Sequence, residues 1–265
     1  MEESVKNRKW NVDQYLERIH MERPTVLDRE YLDQLMIHHL MYVPFENMDL
    51  YFGLADISQD LDELFDKIVL RRRGGYCFEL NKTFQALLKD LGFDTYPCFC
   101  RMQRGRNDMP GPIRHRGNII RLNGDTYFCD VGYGNAMSRG ALKLVPQIRQ
   151  TRGSDIYWFE KYADCWYSIY RQQQDLIYED GTVVKGETSC EMRVCTAPME
   201  EVDFEPLNDI TNGPDSVFRS RVMVGRLTEN GALAINGDLI FSRTEGNRKT
   251  HRKLKDEAEL HQVLR

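Results

Sequence analysis

The apolar residues of this chain change their spacing near Gly92, and this change limits the folds that the chain can adopt. Before Gly92 they recur three and four positions apart, as on one face of an α-helix. The last of these predicted helices begins near Cys77 and ends at Gly92. Beyond it, strand-like segments flank Asn123 and Gly124, a residue pair that strongly signals a β-hairpin. Helices followed by strands predict an α+β fold.

Length and charge exclude several classes of protein. A chain of 265 residues predicts one large domain or two to three small lobes, with a core that needs no metal or disulfide. The formal net charge of −5 argues against a nucleic-acid partner, because nucleic-acid-binding proteins are usually basic. No apolar run approaches the roughly 18 residues of a membrane helix, so no membrane partner is expected.

The cysteines and the N-terminus predict a cytoplasmic protein. The 7 cysteines are odd in number, and their spacing fits neither a disulfide framework nor a zinc site. We therefore expect reduced thiols and no bound metal. Residues 1–10 are charged and lack the apolar stretch of a secretory signal.

The segment 71–81 is the strongest candidate for a reactive site. Three arginines and two glycines precede Cys77, which falls in the first turn of a predicted helix. The unpaired N–H groups and the dipole of a helix start favour an anion, and the arginines add positive potential. Both effects favour a thiolate. On this segment alone, a buried structural cysteine is an equally good interpretation.

A nucleophilic cysteine needs a base, and the base needs an orienting group. A two-residue turn at 123–124 pairs Leu122 with Asp125, which makes His115 and Asp130 diagonal neighbours on one face. Diagonal partners lie about 7–8 Å apart at Cα, within reach of a His–Asp hydrogen bond. A register slip of one residue would separate them. Taken alone, such positions more often hold a solvated histidine and a strand-end carboxylate.

Two further segments accompany these residues. The glycines in 131–134 let the backbone pass close to a ligand, or they form a simple bulge. Residues 43–47 place Phe45 and Glu46 after a proline, and Glu46 is a candidate partner for Arg73. The alternative is a helix-terminating turn with solvated polar groups.

Taken together, these segments resemble the signature blocks of the arylamine N-acetyltransferases. His115 follows Cys77 by 38 residues, and Asp130 follows His115 by 15, as in that family. The resemblance runs from about residue 10 to the end, with weaker matching between about 145 and 205. The blocks that carry it are 44–47, 73–81, His115, 130–134 and 214–218.

The resemblance implies three lobes around a core related to the papain-like cysteine enzymes. An N-terminal helical domain over 1–92 would carry the nucleophile. A β-barrel domain over 93–200 would carry the histidine and the aspartate, and an α/β lid would cover 201–265.

The resemblance also implies an activity. A catalytic triad of Cys77, His115 and Asp130 would transfer an acetyl group from acetyl-CoA to the nitrogen of an aromatic amine, hydrazine or hydroxylamine. The transfer would be ping-pong, through a thioester on the cysteine. Acetyl-CoA would be a co-substrate, with no permanently bound cofactor and no metal. The partners would be small molecules, and the protein a monomer or a homodimer.

The same resemblance places further residues around the triad. Phe45 and Tyr133 would line the acceptor pocket, and Glu46 would brace Arg73. We expect Arg114 and Arg116 to hold coenzyme A phosphates, because arginine forks match phosphate oxygens; solvated loop arginines are the alternative. The family usually has a small hydroxylated residue where this chain has Arg114.

Three other functions are alternatives for a chain with these residues. An amide synthase of the same fold, closing a macrolactam through an aromatic amine, would have an identical triad. A cysteine hydrolase would transfer the acyl group to water. A non-catalytic binding protein would have no need of all three triad residues.

Overall fold

The computed structural model describes residues 9–106, 109–134, 138–244 and 247–264. Residues 1–8, which belong to the segment predicted to lack a secretory signal, lie outside this part of the chain. None of the described helices is both long and apolar enough to cross a membrane.

Helices dominate the first third of the chain, and strands dominate the rest. The helices are α1 (Val12–Arg18), α2 (Arg29–Tyr42), α3 (Met48–Tyr51), α4 (Leu61–Phe65), α5 (Cys77–Leu91), α6 (Glu205–Asn212), α7 (Val217–Ser220) and α8 (Glu257–Val263). The strands are β1 (Phe45–Glu46), β2 (Asp94–Met102), β3 (Ile113–Leu122), β4 (Asp125–Cys129), β5 (Leu142–Lys143), β6 (Gln150–Arg152), β7 (Asp155–Ala163), β8 (Trp166–Gln172), β9 (Leu176–Tyr178), β10 (Val183–Val184), β11 (Thr188–Cys195), β12 (Met223–Thr228), β13 (Gly231–Asn236), β14 (Leu239–Thr244) and β15 (Arg248–Lys253).

The ends of the two long helices follow from local chemistry. Helix α2 ends where Val43 takes an extended conformation, as a residue before proline must. Helix α5 begins at Cys77 and ends at Gly92, which adopts a left-handed φ of 98° that suits glycine. Both bounds of α5 confirm the sequence prediction. Its apolar face, with Leu80 and Phe84, is fully buried in the main core against α1 and α2.

An eight-stranded antiparallel sheet with a barrel-like curl forms the middle of the molecule, in the order β5-β4-β3-β2-β11-β8-β7-β6. The hairpin of β3 and β4 has the predicted register, since Leu122 pairs with Asp125 and Asn118 pairs with Cys129. Helix α5 packs against β2 and β3. This packing brings the start of α5 to the end of the hairpin, and the α+β fold class is confirmed.

A second sheet, in the order β1-β12-β13-β14-β15-β9-β10, draws on all three expected segments of the chain. Strand β1 comes from the N-terminal helical region and pairs Phe45 with Gly225 and Glu46 with Val224. Strand β9 comes from the middle of the chain and pairs in parallel with β15. The strand pairing therefore crosses the boundaries expected near residues 92 and 200.

Candidate active site

Cys77 is the first residue of α5 and lines a cavity of about 270 Å³. Its side chain is buried, at 3 % exposure. The extended backbone of Tyr76 turns the chain from the loop that contains Gly74 and Gly75, the glycine loop, into the helix. The Tyr76 N–H donates to the Glu79 carboxylate at 2.9 Å, which satisfies one backbone donor at the helix start.

Two glycines allow main chains to meet around Cys77. A Cβ atom at Gly74 would lie 1.9 Å from the carbonyl oxygen of Pro44. A Cβ atom at Gly132 would lie 2.6 Å from Cα of Cys77. Any larger residue would force these segments apart, so the glycines set how closely the two loops approach the start of α5.

His115 and Asp130 meet at the open end of the β3–β4 hairpin. The Nε2 atom of His115 lies 2.6 Å from Oδ2 of Asp130, and both side chains are buried. The remaining ring nitrogen, Nδ1, does not contact Asp130, and Cys77 lies close enough to His115 to raise the pKa of the ring. The structure thus brings together the three residues that the sequence predicted as a triad.

Electrostatics at His115 favours the protonated ring. Burial by itself lowers the pKa of His115, but the Asp130 carboxylate and the side chain of Cys77 outweigh it and raise the pKa well above its ordinary value. An imidazolium ring is a strong donor toward both neighbours. The arrangement can therefore hold a thiolate beside a charged histidine, with a carboxylate on the far side of the ring.

Asn81, one turn after Cys77 on α5, holds Asp130 in place. Its Nδ2 atom donates to Oδ1 of Asp130 at 2.8 Å, and its Oδ1 atom accepts the N–H of Val131 at 2.9 Å. Gly132 N–H donates to the same carboxylate oxygen at 2.9 Å. Sequence analysis missed this role, although the four-residue spacing from Cys77 puts both side chains on one helix face.

A cluster of buried and partly buried charges braces the loop before Cys77. Arg73 donates to Glu46 at 3.0 Å and to Asp49 at 2.9 Å. Lys67 lies 2.7 Å from both Asp49 and Glu79. The structure thus brings the predicted pair Glu46 and Arg73 together, and it adds three residues that sequence analysis did not single out. We call these five residues the brace cluster.

Burial and pairing compete within the brace cluster. Burial raises the pKa of Glu79 to about 7, although Lys67 acts in the opposite direction. Burial also opposes the charge of Lys67, but the carboxylates around it prevail and raise the pKa of Lys67. Lys67 therefore keeps its charge, and the charged form of Glu79 depends on the presence of Lys67.

Aromatic rings form the walls of the cavity beside Cys77. Phe45 and Phe218 face each other across 6.2 Å between ring centroids. Tyr133 meets His115 edge-on at 5.7 Å, and its hydroxyl donates to Glu191 at 2.8 Å. Both predicted acceptor residues, Phe45 and Tyr133, therefore line the cavity, and Phe218 joins them.

The two arginines expected to bind phosphates differ sharply. Arg114 is exposed and lines the cavity. Arg116 is fully buried and faces away from it, donating to both oxygens of Glu201 at 2.8 and 2.7 Å. Its guanidinium also lies 4.7 Å from the ring of Phe204. This placement contradicts the expected phosphate contact of Arg116, since its fork is occupied by a carboxylate and no solvent reaches it.

Comparison with known proteins assigns the chain to a family. The model of the N-acetyltransferase family matches residues 28–265, so the chain belongs to this family of acyltransferases. The relatives it resembles include the arylamine N-acetyltransferase of Escherichia coli, 25% identical over 96% of this chain and 86% of the relative. They also include proansamycin X synthase of Amycolatopsis mediterranei, 24% identical over 96% of this chain and 95% of the relative.

Solved structures share the fold. Mycobacterium marinum arylamine N-acetyltransferase in complex with CoA superposes with a TM-score of 0.84 at 22% identity, covering 96% of this chain and 90% of that chain. The family resemblance and the fold expected from the sequence are confirmed.

Proposed function

We propose that the protein is an arylamine N-acetyltransferase that acts through an acetyl-thioester on Cys77. The observation that carries this proposal is the chain of contacts from Asp130 through His115 to Cys77, at the mouth of a cavity walled by aromatic rings. Family membership supports acyl transfer, and the cavity supports a small aromatic acceptor.

In the first half-reaction, the Cys77 thiolate attacks the carbonyl carbon of acetyl-CoA. The oxygen of the tetrahedral intermediate takes up the negative charge, and unpaired backbone N–H groups at the start of α5 stabilise it. The bond to the coenzyme A sulfur then breaks, and His115 gives its proton to the departing thiolate. Asp130 keeps the ring oriented and favours its charged form.

In the second half-reaction, the aromatic amine attacks the acetyl-cysteine. Aromatic amines are weakly basic, so they are unprotonated at neutral pH. His115, now neutral, takes the proton from the amine nitrogen as the new amide bond forms. The bond to Cys77 breaks, which restores the thiolate and the imidazolium.

We further propose that the nucleotide end of acetyl-CoA lies in a groove beside the cavity. The groove, of about 250 Å³, follows residues 232–234 of β13, whose next two residues line the cavity of Cys77. Four cations line it, of which Arg171 and Arg243 pair with Asp155; the other two are Arg104 and Lys249. None of its described lining residues is acidic. Cationic side chains of this kind bind phosphate groups, such as those of coenzyme A.

Intact mass spectrometry tests the proposed function. Mixing the protein with acetyl-CoA alone should add one acetyl group, which a Cys77→Ala variant should not acquire. Adding an aromatic amine should remove the acetyl group and release the acetylated amine. A required ternary complex, with no acetyl-enzyme, would contradict the proposal.

A second candidate is an amide synthase, favoured by the full-length similarity to proansamycin X synthase. Such an enzyme would need its aromatic amine on the same long chain as the acyl group. Rapid turnover of small aromatic amines with free acetyl-CoA would decide for the acetyltransferase. Acylation only by long-chain thioesters would decide for the synthase.

A further inference from the structure

Arg114 reaches the cavity because of an irregularity in β3. Successive residues of a regular strand point to opposite faces, so Arg114 and His115 should not share one cavity. The ladder between β2 and β3 is interrupted here: Cys100 pairs with His115, and Arg101 pairs with Ile113. Arg114 is therefore the extra residue of a β-bulge, a feature that commonly re-aims a side chain beside an active site.

Within the described part of the chain, no carboxylate pairs with the guanidinium of Arg114. No hydrogen bond or ion pair joins it to any residue within the described ranges, whereas the guanidinium of Arg116, two positions later, donates to both oxygens of Glu201. No carboxylate is found among the described residues that line the cavity. The bulge thus presents a cation among the aromatic walls that no described residue pairs with, in a position open to a ligand.

The length of coenzyme A separates its phosphates from this cation. Thirteen bonds join its sulfur to the nearest phosphorus, a span of roughly 15 Å when extended, at about 3.6 Å for every three bonds. The sulfur must lie at Cys77, and a cavity of about 270 Å³ is small, below the size of a typical drug-sized site. The phosphates therefore belong outside the cavity, and the group that shares it with Arg114 is the acceptor.

We propose that Arg114 selects aromatic amines that carry an acidic group on the ring, such as aminobenzoates. This inference rests on the proposed acetyl transfer and narrows its acceptor class. The ring lies between Phe45 and Tyr133 with its nitrogen toward Cys77, and the carboxylate accepts two N–H bonds from the guanidinium. An arginine fork fits a carboxylate in this bidentate way.

The deacylation of preformed acetyl-enzyme isolates the acceptor step. We would measure its rate with 4-aminobenzoate and with 4-aminobenzamide, which has the same shape but no charge. Because the two amines differ in nucleophilicity, the ratio of their rates is compared between proteins. Arg114→Gln should lower the acid-to-amide ratio by roughly tenfold, and Arg114→Lys should restore part of it.

Arg121→Gln is the matched control, since Arg121 lies on the same strand, is exposed and pairs with Asp94 on the outer surface. It should leave the ratio unchanged. An equal ratio in wild type and Arg114→Gln would overturn the inference. So would an Arg114→Gln variant whose only defect is a raised KM for acetyl-CoA, because that result would show that Arg114 binds the acyl donor.

Binding separates this inference from the proposed function. If no acetyl-enzyme forms, acetyl transfer through Cys77 fails, but calorimetry on a Cys77→Ala variant still compares the two amines. Tighter binding of 4-aminobenzoate, lost with Arg114→Gln, would sustain the selection of acidic rings. Equal binding of both amines would end it.

Discussion

Two buried polar clusters lie on either side of the glycine loop, and they use the same kinds of groups differently. In the brace cluster, Lys67 and Arg73 each contact two carboxylates. In the cluster of Asp130, His115 and Cys77, the contacts run in one direction and end at a thiol that faces a cavity. Charges that pair only with one another stabilise the fold, as in the brace cluster, which we call the closed cluster. A set that ends at a group facing a cavity, which we call the open cluster, can react with a ligand.

The largest effect should come from breaking the open cluster with Asp130→Asn. The amide nitrogen would donate to Nε2 of His115, so the ring would carry its proton on Nδ1 and could not accept one from Cys77. We expect acetyl-enzyme formation to slow by roughly 10³–10⁴-fold, as in other triads with this change. The free energy of unfolding should change little because the shape is kept. Rapid-quench mass spectrometry and urea unfolding check both statements; slowing below tenfold would contradict the assigned role.

The opposite pattern should follow from breaking the closed cluster with Lys67→Met. The substitution leaves Glu79 buried without its cation, and it leaves the half-buried Asp49 with Arg73 alone. Losing one partner of a buried ion pair typically costs about 3–5 kcal/mol of unfolding free energy. We expect that loss in urea unfolding, with kcat per folded molecule nearly unchanged.

Lys185→Met provides the control, because Lys185 is an exposed lysine that pairs with Asp175 on the surface. Its unfolding free energy should equal that of wild type within the error of the measurement. If Lys67→Met proved as stable as this control, the closed cluster would have no structural role.

Asn81 contacts the cluster of Asp130, His115 and Cys77, and its own hydrogen bonds hold the main chain in place. Asn81→Ala should therefore affect both acetyl-enzyme formation and the free energy of unfolding. It removes a donor from Asp130 and leaves the N–H of Val131 unpaired. We expect about 1–3 kcal/mol less unfolding free energy and roughly tenfold slower acetyl-enzyme formation. A change in only one of the two measurements would show that Asn81 acts in one cluster alone.

The smallest effect concerns Arg116 and Glu201 and appears at low pH. Burial raises the pKa of Glu201, but Arg116 and Lys82 outweigh it and lower that pKa to about 2. A lowered pKa stabilises the fold above the ordinary value near 4.5, and this stability is lost as the pH falls toward 2. Because Glu201 is partly exposed, solvent screening limits the contribution to about 1 kcal/mol or less.

Glu201→Gln should abolish that part of the pH dependence. Acid unfolding followed by circular dichroism should begin at higher pH in the variant. An identical acid profile would mean that the pair contributes nothing to stability.

Local patterns predicted the site well where one hairpin and one helix sufficed. The turn at 123–124 fixes the register of β3 and β4, and the register alone brings His115 toward Asp130. Cys77 was found through the glycines and the helix start beside it. Each of these inferences depends on neighbours close in sequence.

Contacts between distant segments escaped prediction. Glu201 lies 85 residues beyond Arg116, and no periodicity in β3 announces that the strand buries an arginine there. The bulge at Arg114 places Arg114 and Arg116 on opposite faces, whereas an ideal strand would place both on one face. Lys67 and Asp49 resemble ordinary surface charges in the sequence, and only tertiary packing buries Lys67 and half-buries Asp49.

The short strand β1 has a consequence for how substrates enter. Phe45 and Glu46 pair with β12. The next residue, Asn47, donates to the carbonyl oxygen of Phe218 in α7 and accepts the N–H of Met223 in β12, at 2.7 Å each. Hydrogen bonds thus join the cavity wall that carries Phe218 to the wall that carries Phe45. These contacts fix the two main-chain segments relative to each other. If the proposed acceptors bind here, we therefore expect those of different width to be accommodated by rotation of side chains, with the main chain of the entrance unchanged.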